Sequence, residues 1–289
     1  MKNMPGFFHF NIEDRYMGIG NNNVSTIPAY EKLTSENPNA KRALCFGDSW
    51  FQYPPKSVDL NKQLAKIFQN TAFLNEGIPG RDSAQWKLAL PRIQREIGTY
   101  HFDAILLSNG GNDIVGEELN EYVKTPSQSQ STGDTQWGQI PSQVYDHIRL
   151  DRFEIALQYA ITDFKEVVQN RDTSSPESIV YLHTYDYIYP DGRPYKLGPI
   201  TEGPWVKPAF VTAGLKDPDQ QRIVISWLVD QFAAHLKSYA STKANIRIVD
   251  SRGTLTSKEQ WANEIHPTPD GFQKIAKECW VPQLTGILK

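Results

Sequence analysis

The 289-residue chain predicts an α/β fold, a three-layer α/β/α sandwich around a five-stranded parallel, flavodoxin-like sheet. Three observations predict it. Short apolar runs alternate with longer amphipathic stretches, the β-α-β-α rhythm of crossover connections. The clearest run, Ala104-Ile105-Leu106-Leu107, is apolar throughout, as a strand covered on both faces is. The runs end abruptly at polar or glycine-bearing turns, at the sheet edge where open α/β folds bind ligands.

In order, residues 1–40 are rich in Asn, Gly, Ser and Pro and read as an extended leader packed on the domain that follows, with no chemistry of its own. Strand one is 42–48, and a helical pattern follows at 57–69, with Val58, Leu60, Leu64, Ile67 and Phe68 on one side. Strand two, 72–75, runs into the turn Glu76-Gly77-Ile78-Pro79-Gly80-Arg81-Asp82-Ser83, and a helix spans 83–99 with Pro91 as a kink. Strand three is 103–108, ending in Asn109-Gly110-Gly111-Asn112-Asp113. A long polar stretch at 124–142 precedes a helix at 150–169. Strand four is 178–183, followed by a Pro-, Gly- and aromatic-rich segment and a helix at 217–240. Strand five is 246–249; a short helix at 257–263 and a closing helix at 270–280 complete the chain. With no internal repeat and no linker, 41–289 reads as one domain with insertions at about 114–150 and 188–214, both leaving the carboxyl ends of strands.

Bulk properties exclude several classes. Acidic residues (33) and basic residues (30) nearly cancel, and a net charge of −3 without a Lys/Arg run argues against nucleic acid. No 18-residue apolar stretch suggests a membrane span. The N-terminus has no sustained apolar core, so the chain reads as cytoplasmic, or as one from which a leader has been removed. Cys45 and Cys279 read as two buried free thiols. No Cys/His spacing suggests zinc, and His101, His147, His183 and His235 do not recur at metal spacing, so neither a metal nor a cofactor is expected.

The first strand leaves Ser49 at its carboxyl end, in Gly47-Asp48-Ser49-Trp50-Phe51. By itself this is either a nucleophile or a helix N-cap. The other strand ends decide between them. They offer Gly80 after strand two, Gly110, Gly111 and Asn112 after strand three, and His266 after strand five. A serine needs a base, and His is the usual one near neutral pH. The Ser49 and Gly80 backbone N–H groups and the Asn112 amide are suitable donors for an oxyanion. Trp50, Tyr53, Trp86, Tyr187 and Trp205 are candidates to line a pocket or simply to pack. There is no G-x-G-x-x-G, no Walker lysine and no G-x-S-x-G elbow.

These four turns resemble the SGNH (GDSL-type) hydrolases over about 42–113 and 178–280. Gly47-Asp48-Ser49 matches the nucleophile turn, Asn75 to Ser83 the second block with its oxyanion Gly80, Gly110-Gly111-Asn112-Asp113 the Gly-x-Asn-Asp block, and His266-Pro267 the histidine block. The resemblance implies the SGNH hydrolase fold and hydrolysis of an ester through an acyl-enzyme, without metal. The sequence departs from the family three residues before the histidine, where Asn263 stands in place of Asp. Asn263 can orient the ring by accepting a hydrogen bond but cannot stabilise imidazolium by charge. Glu264, Asp250 or a backbone carbonyl are the alternatives. Asp48 reads as a structural carboxylate and Asp113 as a brace for the Asn112 turn.

The expected activity is therefore a serine esterase acting on a small acyl or O-acetyl ester, with Ser49, His266 and Asn263 as catalytic residues and a glycan- or lipid-like ester as partner. A catalytically weak glycan- or acyl-binding relative and an acyltransferase are the alternatives.

Overall fold

The computed structural model describes residues 22–53, 58–116, 118–126 and 137–289. Residues 1–21 of the expected leader and most of the polar stretch at 124–142 lie outside the described residues.

Among the described residues the sheet is parallel and has six strands rather than five. They are β1 (Asn23–Val24), β2 (Lys41–Gly47), β3 (Thr71–Gly77), β4 (Ala104–Ser108), β5 (Ile179–His183) and, last in the chain, Ile246–Val249. The extra strand is β1, which pairs with β3 through Asn23↔Phe73 and Val24↔Leu74. Two residues are too few to show periodicity. The segment is held by the neighbouring Asn22 amide, which donates to the carbonyls of Ala65, Phe68 and Thr71. The part of the expected leader that follows is also ordered, as a helix α1 (Ile27–Glu36) whose Tyr30 is buried against Tyr100 and Phe102.

The order, from one edge, is β1-β3-β2-β4-β5 and then Ile246–Val249. From β2 the chain goes to β3 on one side and then crosses to β4, β5 and the last strand on the other, so the topological switch point, where such sheets bind ligands, lies between β2 and β4. Register carries this further. Gly47 pairs with Gly77 on one side and with Ser108 on the other, so the turns leaving β2, β3 and β4 emerge side by side. A Cβ on Gly47 would lie 2.3 Å from the Ser108 carbonyl oxygen, so no side chain fits there. Ala43 to Phe46 and Ala104 to Leu107 are completely buried, as strands covered on both faces must be.

Helices α2 (Leu60–Ile67) and α3 (Ser83–Thr99) follow β2 and β3. Each starts at an aspartate N-cap: Asp59 accepts from Lys62 N and Asp82 from Gln85 N. Helix α3 runs continuously through Pro91. After β4 come α4 (Gly111–Val115), α5 (Leu119–Tyr122), α6 (Ser142–His147) and α7 (Leu150–Ser174), so the first insertion carries short helices where it is described. The second insertion holds a hairpin of β6 (Tyr195–Leu197) and β7 (Ile200–Glu202) and a short helix α8 (Lys207–Thr212), followed by α9 (Pro218–Ala240). After β8 (Ile246–Val249) the expected helix at 257–263 is only a 3-10 turn, Lys258–Gln260. The closing helix is longer than expected: α10 (Pro269–Ile275), a π turn (Ala276–Trp280) and α11 (Val281–Leu288). Helix α7 packs against both α3 and α9, and α2 packs with α10 and the π turn as a separate group.

Candidate active site

Ser49, 6% exposed, stands in the turn after β2. Asp48 shapes that turn: its N–H donates to Ser108 O, its Oδ1 accepts from Trp50 N, and its carbonyl accepts from Phe51 N and Gln52 N. No acceptor for the Ser49 N–H occurs among the described residues. The turn is thus held by its neighbours, with the Ser49 amide and hydroxyl left for other work.

His266 Nε2 lies 2.8 Å from Ser49 Oγ. On the other side of the ring, His266 Nδ1 lies 3.0 Å from Asn263 Oδ1. The same Oδ1 accepts from Ile265 N at 3.1 Å and His266 N at 2.9 Å, while Asn263 Nδ2 donates to the Tyr53 hydroxyl at 2.8 Å. Three N–H groups on one side and a hydroxyl on the other define which way the amide faces. With its oxygen toward Nδ1, the proton sits on Nδ1 and Nε2 is the lone-pair nitrogen toward Ser49. Tyr53 covers the imidazole at 4.4 Å between ring centroids, and Trp205 meets it edge-on at 5.7 Å. This burial holds the His266 pKa down to about 3, because a charged ring there would lose its hydration.

The alternative carboxylates are engaged elsewhere. Asp250 is bound by Lys237, Arg252 and Thr184. Glu264, fully buried, accepts four backbone N–H groups of the second insertion: Gly192 at 2.9 Å and Lys207 at 3.0 Å on Oε1, Trp205 at 2.8 Å and Val206 at 2.9 Å on Oε2. It fastens that insertion to the histidine loop and brings Trp205 to His266.

The candidate oxyanion donors lie on the neighbouring turns. Gly80 is exposed, has φ +74°, and has no acceptor for its N–H among the described residues. Gly110, at φ +90°, opens the turn carrying Asn112, whose Nδ2 donates to Arg81 O at 2.8 Å. One amide proton is thereby fixed and the second is left over. Asp113 Oδ1 accepts from Ser83 N at 3.0 Å, so it ties this turn to the start of α3.

A cleft beside Ser49 is lined by Trp50, Asn112, Ile114, Val115, Ile188, Val229, Phe232 and Ile265, with Asp48 and Tyr185 also contributing. Tyr185 occupies the left-handed region at φ 62°, rare for a residue with a side chain. Its hydroxyl donates to Asp48 Oδ2 at 2.5 Å, and a Cβ on Gly111 would come within 2.9 Å of its ring. Burial raises the Asp48 pKa to about 7 despite that bond.

Of the five sequence-predicted aromatics, Trp50 lines the cleft, and Tyr53 and Trp205 flank His266. Trp86 is core: it is completely buried and packs on Phe46 and Phe164. Tyr187 does not line the cleft; its hydroxyl donates to Asp230 at 2.7 Å. Sequence reasoning missed the parts played by Arg81, Glu264 and Tyr185. The partners of the first two are mainly backbone groups, which leave no sequence signal. Among the described residues no group of three or more His, Cys, Asp or Glu is placed to hold a metal, and no helix is long and apolar enough to cross a membrane.

A parallel doubly wound sheet with a buried serine and histidine in contact at its switch point defines an α/β protein of the hydrolase type. Residues 45–274 match the GDSL-like lipase/acylhydrolase family, and the chain belongs to it. The family is one of ester hydrolases. Solved structures share the fold at low identity. One is the lipase Lip_vut3 from a goat rumen metagenome, at 13% identity and TM-score 0.53, covering 86% of this chain and 100% of that one. Another is an extracellular lipase from Streptomyces rimosus, at 16% identity and TM-score 0.51, covering 86% of this chain and 100% of that one. No curated protein sequence matches the chain.

Proposed function

We propose that the protein is a serine esterase that hydrolyses esters of short acyl groups through a Ser49 acyl-enzyme. The observation that carries this is the continuous contact from Ser49 Oγ to His266 Nε2 at 2.8 Å and from His266 Nδ1 to Asn263 Oδ1 at 3.0 Å. His266 Nε2 takes the Ser49 proton as Oγ attacks the ester carbonyl. The oxyanion is met by the Ser49 and Gly80 N–H groups and the free Asn112 amide proton. His266 then gives its proton to the leaving alkoxide. Water, deprotonated by the same nitrogen, attacks the acyl-enzyme and frees Ser49. Ile114, Val115, Val229 and Phe232 line an apolar cleft beside Ser49 and are themselves packed, which supports a short acyl group, an O-acetyl group included, over a long chain.

Asn263 in place of an acid favours a second reading, a weakly active or inactive glycan- or acyl-ligand binder; transfer of the acyl group to another alcohol uses the same steps. One experiment separates these readings. Wild type, Ser49→Ala and His266→Ala are assayed on p-nitrophenyl esters from acetate to dodecanoate, with and without an added alcohol. Hydrolysis greatest on the shortest esters, lost in both variants, is expected, together with a phosphonate adduct on Ser49. Absence of turnover and adduct in wild type refutes the esterase. A rate maximum at octanoate or beyond refutes the short acyl group.

A further inference from the structure

We propose that Arg81 is the positioning residue that assembles the oxyanion site, an inference that rests on the Ser49 acyl-enzyme reading. Arg81 follows Gly80 directly and is 1% exposed. Its Nη1 donates to Gly47 O at 3.1 Å and to Glu76 O at 2.7 Å. These carbonyls belong to the ends of β2 and β3, from which the Ser49 and Gly80 turns depart. Its guanidinium lies over the Phe46 ring at 4.4 Å. Its own N–H closes the turn onto Ile78 O at 3.3 Å. Its carbonyl accepts the Asn112 amide at 2.8 Å. One side chain thus grips the roots of two donor-bearing turns, and its backbone aims the third donor.

Arg81 is not among the residues lining the cleft; its guanidinium is bonded to the strand ends. What it controls is where the donors sit. Oxyanion donors work only when already in place as charge develops, and loss of one costs about 10²–10³ in kcat. Both carbonyls accept from Nη1, one arm of a planar fork seated on the Phe46 ring, whereas an ammonium is a compact point charge with no plane to lie there. Removing the fork releases the Gly77–Asp82 turn relative to Ser49. The loss then falls on the transition state and leaves ester binding in the cleft intact.

The test is steady-state kinetics of wild type, Arg81→Lys, Arg81→Met, Asn112→Ala and Arg81→Met/Asn112→Ala on p-nitrophenyl butyrate, with folding checked by near-UV circular dichroism. Expected is a kcat loss of about tenfold for Arg81→Lys and about 10²-fold for Arg81→Met and for Asn112→Ala, with KM within twofold. The double variant should lose no more than about 10³-fold, because both changes damage one device; independent effects would multiply to about 10⁴. Wild-type kcat in Arg81→Lys overturns the proposal. So does a change carried by KM, full multiplicativity, or Arg81→Lys failing to fold, which would assign the side chain to the core alone. Absence of turnover in wild type would instead refute the esterase reading on which the proposal stands.

Discussion

Position 263 is where the proposed chemistry is most exposed to test. Asn263 Oδ1 accepts the His266 Nδ1 proton at 3.0 Å and two backbone N–H groups at 3.1 and 2.9 Å. Replacement by Ala removes the acceptor that orients the ring and strands buried donors at about 1–3 kcal/mol each. The hydrogen bond to the imidazolium formed during the reaction is of the charge-assisted kind, about 1.5–3 kcal/mol, which is about 10–150-fold in rate. Asn263→Ala should therefore lose about 10–100-fold in kcat/KM. Asn263→Asp acts in the opposite direction. Its carboxylate keeps all three N–H donors, and Tyr53 can reverse its hydroxyl to donate. A full charge near 4 Å contributes about 4 kcal/mol to imidazolium at an effective dielectric of 20. Desolvation of that carboxylate, several kcal/mol, offsets much of it, leaving about 1–3 kcal/mol and a gain of about tenfold or more at pH 8. The pH profile reads the same physics. His266 is held neutral down to about pH 3, so wild-type kcat/KM should stay level through pH 5. In Asn263→Asp the acid limb should rise toward the ordinary histidine range, about 6.5. Identical kcat and pH profiles in all three proteins would refute a role for Asn263.

Further outcomes follow from neighbouring contacts. Tyr53→Phe removes the acceptor of Asn263 Nδ2 and should lower kcat about tenfold by letting the amide turn; the check is the same ester assay, with Asn263→Asp/Tyr53→Phe measured beside it. Glu264→Gln replaces a carboxylate that accepts four N–H groups and should cost about 2–5 kcal/mol by denaturant unfolding. Val229→Phe fills the cleft and should lower butyrate kcat/KM about tenfold more than acetate. Asp163, completely buried with Oδ2 accepting from Asn109, has its pKa raised to about 7, first by burial. Because the folded pKa lies above the unfolded one, the acid's contribution is complete below about pH 4 and is lost as pH rises through 7. Asp163→Asn should accordingly raise Tm relative to wild type more at pH 8 than at pH 5.

What could be read in the sequence follows from the range of each interaction. The run Ala43 to Phe46 ending at Gly47 is a local signal, and it marks β2 and the turn to Ser49 correctly. The contact of Ser49 with His266 spans 217 residues, yet both residues were legible because each sits in a short recognisable turn. β1 has two residues and no period to detect. Trp86 shows why aromatic content does not identify a pocket: its place on α3 sets its ring on Phe46, inside the core. Glu264 was visible only as a possible partner for the histidine. Its actual partners are backbone N–H groups 57 to 72 residues away, and backbone groups are the same in every sequence.

Asn263 and Glu264 are best understood together. The histidine loop has one acid, and it lies one residue away from the position that faces His266. There it accepts four N–H groups of the second insertion, which sets Trp205 against the imidazole. Tyr53 covers the same ring from another element. An enclosed imidazole with a carboxylate at Nδ1 would bring a buried charge whose desolvation must be offset; an amide there brings none. The loop therefore places its acid in the wall and leaves His266 a neutral orienter. An amide stabilises imidazolium less than a carboxylate would, and burial, which holds the His266 pKa down to about 3, keeps the ring neutral far into the acid range. On the proposed mechanism, peak rate and activity at low pH should vary inversely when the residue at 263 is changed.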